Sequence, residues 1–112
     1  MNPNKEMAEM NAADLLVQMA ATYRERNALY GNNYKEFGLI MEAIFPNEIL
    51  LSTPDDFNRF ALLVQIVAKV TRYAKNFHSG GHIDSIHDVG VYAAMLEELT
   101  LIEKLAQQSS AQ

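Results

Sequence analysis

A chain of 112 residues, with fourteen acidic and nine basic side chains and no cysteine, is long enough for one domain that buries roughly two-thirds of its unfolded surface. A formal charge of −5 opposes unaided attraction to duplex nucleic acid or an anionic membrane. The lack of cysteine removes disulfides, thiolate zinc sites and thiol catalysis.

No stretch approaches the length of a membrane span. The opening MNPNKEMAEMNAADLL carries Lys5, Glu6, Glu9 and Asp14 and lacks the unbroken apolar core of a secretory signal. The chain therefore reads as a soluble cytoplasmic protein. Residues 1–10 are expected to be a flexible N-terminus or helix extension, 11–106 a single helical domain, and 107–112, QQSSAQ, a frayed tail.

The first periodic segment sets Leu15, Leu16, Met19, Ala20 and Tyr23 on one helix stripe. Asn11 is its expected cap, with Asp14 adding a charge suited to a helix N-terminus, and Gly31 its stop. In YKEFGLIMEAIF, Phe37, Ile40, Met41 and Ile44 share a face, and Pro46 closes a second, short helix. The third has the clearest start: Thr53 as cap, Pro54 in the first helical position, then Asp55 and Asp56 against the positive end of the dipole. Its apolar line runs from Phe57 through Phe60, Val64, Val67 and Thr71 to Ala74 and ends before His78. After the glycine turn, Asp84 or Ser85 is expected to cap a last helix carrying Ile86, Val89, Tyr92, Ala93, Leu96, Leu99 and Ile102.

Four apolar stripes with no strand alternation predict an all-α, four-helix bundle-like domain. The short turn makes its last two helices a long antiparallel hairpin. Those helices carry apolar residues beyond one stripe, among them Leu62, Leu63, Ile66, Val91, Met95 and Leu101. That width predicts a homo-oligomer.

Chemistry-bearing residues gather near the hairpin tip. Gln65, Lys69, Arg72 and Asn76 form one polar line on the third helix, and Asp84, Asp88 and Tyr92 one on the fourth. One reading is a set of interhelical ion pairs, Lys69 or Arg72 against Asp88. The other is a ligand site, in which Lys69 and Arg72 bind phosphate, the aspartates bind ribose hydroxyls and the amides of Gly80 and Gly81 add donors. His82, Asp84, His87 and Asp88 are also metal-ligand types, but there is no His-Glu-x-x-His and no helical Glu-x-x-Glu pair, so no metal is assigned. Ser85 reads as a capping residue rather than a nucleophile. At the exit of the first helix, Arg26, Tyr30 and Gly31 are either a C-cap or, with Tyr34 and Lys35, a place where a base stacks and phosphate binds.

RERNALYGNNYKEFGLI, DDFNRFALLVQIVAKVTRYAKNF and GGHIDSIHDVGVYAAMLEEL, in that order, span about residues 24 to 99. The set resembles a family of small helical domains of unassigned function encoded by phages and prophages, similar to nucleotide-modification-associated domains. The shared pattern falls on Arg26, Tyr30 and Gly31, on Lys69, Arg72 and Asn76, and on Asp84, Ser85, Asp88 and Tyr92.

The resemblance implies work on, or binding of, nucleotides. The leading expectation is a non-catalytic homo-oligomer that binds or sequesters a nucleotide-derived ligand, such as a host immune signalling nucleotide, in host cytoplasm. Its site would comprise Arg26, Tyr30, Lys69, Arg72, Asn76, His82, Asp84 and Asp88, with no cofactor. The alternatives are a phosphohydrolase or phosphate-transfer enzyme using Mg²⁺ on Asp84 and Asp88, and a protein-interaction module with no small ligand.

Overall fold

A computed structural model describes residues 9–110, apart from the side chains of Tyr30 and Ser110, and every regular element among the described residues is helical. The elements are α1 (Ala12–Tyr30), α2 (Asn33–Ile44), α3 (Pro54–Lys75), one 3₁₀ turn (Phe77–Ser79) and α4 (Ile83–Ser110). Most of the expected N-terminal segment 1–10 lies outside the described residues. The chain forms two units, Met1–Asn32 and Asn33–Gln112.

The first unit is built on α1. Asn11 and Asp14 form a reciprocal capping box: the Asn11 side chain accepts from the Asp14 amide at 3.0 Å, and the Asp14 carboxylate accepts from the Asn11 amide at 3.1 Å. Gly31, at φ 65°, ends the helix and donates its amide to the Asn27 carbonyl. A residue with a Cβ is strained in that left-handed region.

The second unit is organised by the α3–α4 hairpin. Thr53 and Asp56 make the second capping box, Pro54 opens α3, and the Asp56 carboxylate also accepts the Ser52 amide at 3.1 Å. α4 has 28 residues against 22 in α3, so at 1.5 Å per residue it is about 9 Å longer. Among the shielded residues of α4, Ser85, Val89, Tyr92, Leu96, Leu99 and Glu103 recur at spacings of four, three, four, three and four, with Asp88 and Thr100 shielded beside them. That is the heptad-like seam of two helices packed side by side, and α4 does pack along α3.

The centre of this unit is thin. Val67 and Ser85 are the buried residues of the described chain. Leu39, Phe57, Ile86, Leu101 and Leu105 are all exposed. α2 meets α3 through three contacts of different kinds. Asn33 donates to the Thr71 hydroxyl at 2.7 Å, Lys75 pairs with Glu36 at 2.8 Å, and the ring of Phe45, just past α2, lies 6.0 Å from that of Phe60.

Candidate functional site at the hairpin tip

The tip is set by Asn76, which ends α3 with its own amide bonded to the Tyr73 carbonyl and its side chain donating to the Arg72 carbonyl at 2.9 Å. The Asn76 carbonyl then accepts the amides of Ser79 (3.0 Å) and Gly81 (2.7 Å), while Gly80 donates to Phe77. Both glycines have positive φ, 94° and 79°, where an L side chain is disfavoured. Because the Gly80 and Gly81 amides are committed to carbonyls of the turn itself, they are not the phosphate donors that the sequence suggested. The Tyr73 ring packs on Gly81, and Phe77 stands edge-on to both Tyr73 and His78.

The cap of α4 falls at His82, two or three residues before the Asp84 or Ser85 expected from sequence. Its first turn is held by His82, whose Nδ1 accepts the Ser85 amide at 3.2 Å and lies 2.6 Å from the Ser85 hydroxyl. Nδ1 stands as many bonds from the backbone as an asparagine Oδ1, so an imidazole reaches the same amide that Asn or Asp caps in other helices. Accepting the amide requires a lone pair on Nδ1, which places any ring proton on Nε2 and makes the Ser85 hydroxyl the donor. Ser85 is 1% exposed, out of reach of a substrate. Asp84 stays exposed in the first turn.

Across the hairpin, Lys69 Nζ lies 3.3 Å from Asp88 Oδ2, both side chains being partly shielded. This joins the polar lines of α3 and α4 and realises the ion-pair reading at Lys69. Arg72 is half-buried on the same line, one turn nearer the tip, and Asn76 follows it. Lys69, Arg72, Asn76, His82, Asp84 and Asp88 therefore all belong to the hairpin. Arg26 lies exposed on α1 in the first unit, and the Tyr30 side chain is outside the described residues. Among the described residues no three carboxylate or imidazole groups come together to hold a metal ion.

Protein-family models, curated proteins and solved structures contain no match to the chain. The site's chemistry therefore has to be read from its own groups. Lys69 and Lys75 are each neutralised by a carboxylate, Asp88 and Glu36, so an anion binding here would compete with Asp88 for Lys69.

Sequence reasoning missed two features. Asn33 bridges to Thr71, next to Arg72, and its side-chain oxygen is buried without a partner among the described residues. The second is an open groove of about 350 Å³ away from the tip, lined by Phe45, Ile49, Arg59, Phe60, Leu63 and Leu96 among others. At its rim Arg59 is held by Asp55 at 2.7 Å and Asp56 at 3.2 Å. The hydrogen bond it donates to the Asp55 carboxylate raises the Arg59 pKa above its usual value, so this guanidinium is a fixed cation. The i, i+3 and i, i+4 spacing of Asp55, Asp56 and Arg59 was the available signal.

Proposed function

We propose that the protein is a binding protein rather than a catalyst, taking a phosphate-bearing, nucleotide-derived small molecule at the hairpin tip. Lys69 and Arg72 would hold phosphate, Asp84 and Asp88 ribose hydroxyls, and Asn76 and His82 would line the site. The observation that carries this reading is the Lys69–Asp88 contact, which sets the cation line of α3 beside the acid line of α4. A polar pair that can exchange partners is suited to an anionic ligand, because the lysine released from Asp88 gains a charge-assisted bond to phosphate. The biological reading is an oligomeric, bundle-like sponge for a signalling nucleotide in host cytoplasm. It requires affinity and no reaction.

Calorimetry against cyclic and linear nucleotides tests it. Absence of binding tighter than about millimolar, roughly 4 kcal/mol, would sink the proposal. The Mg²⁺ enzyme has less support, since one of its two carboxylates is engaged by Lys69 and two are few for a catalytic magnesium site. A second reading, a protein-interaction module, is favoured by the same ion pair taken as purely structural and by the exposed apolar side chains of α4.

A further inference from the structure

We infer that the ring of Phe77 is the platform on which the base of the ligand stacks. The inference rests on the nucleotide reading above and deepens it, giving the site a base-binding element outside the polar lines of α3 and α4. The chain is acidic, yet no aspartate or glutamate occurs from residue 57 to residue 83, a stretch that holds Arg59, Lys69, Arg72 and Lys75 together with His78 and His82. Toward the tip this stretch interleaves rings with the cations, in the order Lys69, Arg72, Tyr73, Lys75, Phe77, His78. Cations serve phosphate and an aromatic face serves a base. Sites that hold nucleotides by stacking combine the two.

Phe77 is 62% exposed, and it is nonetheless held in place. Its carbonyl accepts the Gly80 amide at 3.2 Å, and the Asn76 carbonyl before it accepts the amides of Ser79 and Gly81, so the backbone that carries the ring is tied within the turn. Tyr73, itself packed on Gly81, stands edge-on to Phe77 with ring centroids 6.5 Å apart, and His78 does so at 5.4 Å. A large apolar ring that is buttressed and open to water contributes little to folding, because it removes little area from solvent. It is well suited to binding, because little side-chain freedom is left to lose when a flat ligand covers it.

Its place in the fold suits that role. Phe77 continues the line of Lys69 and Tyr73 at spacings of four. It lies five residues beyond Arg72, about 8 Å along the helix axis, a span that one ribose bridges between a base and its phosphate. The formal charge of −5 opposes a long polyanion, so the occupant is a free nucleotide rather than a nucleic-acid strand.

Calorimetry of the full chain with cyclic and linear nucleotides, set beside inorganic tripolyphosphate, separates the base end of the site from its phosphate end. Phe77→Ala should weaken nucleotide binding about tenfold or more and leave tripolyphosphate binding unchanged. Because the ring is exposed, the melting temperature should stay that of the parent. Phe77→Tyr keeps an aromatic face and should restore nucleotide affinity. The chain has no tryptophan, so Phe77→Trp supplies a single indole whose fluorescence should change on addition of nucleotide and not of tripolyphosphate. Equal nucleotide affinity in the parent and in Phe77→Ala overturns the platform and leaves the nucleotide reading standing. Equal loss of nucleotide and tripolyphosphate binding also overturns it, since the ring would then act by shaping the turn. If the parent chain binds no nucleotide, the nucleotide reading itself falls and the platform with it.

Discussion

The Tyr73 ring occupies the space where any residue but glycine at position 81 would place its Cβ. That contact pins the end of α3 to the entry of α4, and it separates two neighbouring glycines that look alike in sequence. Gly80 and Gly81 both have positive φ, yet only Gly81 is crowded. Gly80→Ala should therefore cost the backbone strain alone, about 1–2 kcal/mol. Gly81→Ala should cost about 3 kcal/mol or more. Urea unfolding followed by circular dichroism reads both, and equal losses would contradict the packing of Tyr73.

The imidazole cap of α4 predicts an unusual substitution pattern at position 82. His82→Asn keeps an acceptor at the right reach and should leave stability within about 0.5 kcal/mol, whereas His82→Ala should lose about 1 kcal/mol. If Asn is as damaging as Ala in thermal unfolding, the ring matters through something other than the Ser85 amide.

At the start of α3, hydrogen bonds from the Ser52 and Thr53 amides hold the Asp56 carboxyl below its ordinary value of 3.8. A carboxyl with a lowered folded pKa contributes stability that is complete above the unfolded value and fades as pH falls through the folded one. Unfolding free energy should thus decline below about pH 4 by a smaller amount in Asp56→Asn than in the parent chain. Identical acid limbs in the two proteins would show that Asp56 is not linked to folding. Thr53→Ala should remove about 1 kcal/mol at neutral pH through loss of the reciprocal bond.

The Lys69–Asp88 contact separates the two functional readings. A double-mutant cycle of Lys69→Ala and Asp88→Ala on unfolding should give a coupling of about 1 kcal/mol for this partly shielded pair. Under the nucleotide reading, Lys69→Ala and Arg72→Ala each weaken ligand binding about tenfold or more, at about 1.5–3 kcal/mol for a charge-assisted bond, and leave the oligomer mass unchanged. Under the interaction-module reading, Arg72→Ala lowers the melting temperature and no nucleotide heat appears in calorimetry with any variant.

Much of the fold was legible because its signals are local. Asn11 with Asp14, and Thr53 with Pro54 and Asp56, cap helices within three residues of themselves. Gly31, Pro46 and Gly80 interrupt helices for steric reasons that hold in any surroundings. From these the all-helical class and the turn between the long helices follow without knowledge of packing. Which groups meet across helices is different in kind, because it depends on the rotation and offset of α3 against α4. Only the tertiary structure decided that Asp88 meets Lys69, that Asn33 reaches Thr71 from 38 residues away and that Tyr73 covers Gly81. The cap of α4 is by contrast a local contact, His82 to Ser85 three residues on, missed because histidine is not among the side chains that usually cap a helix.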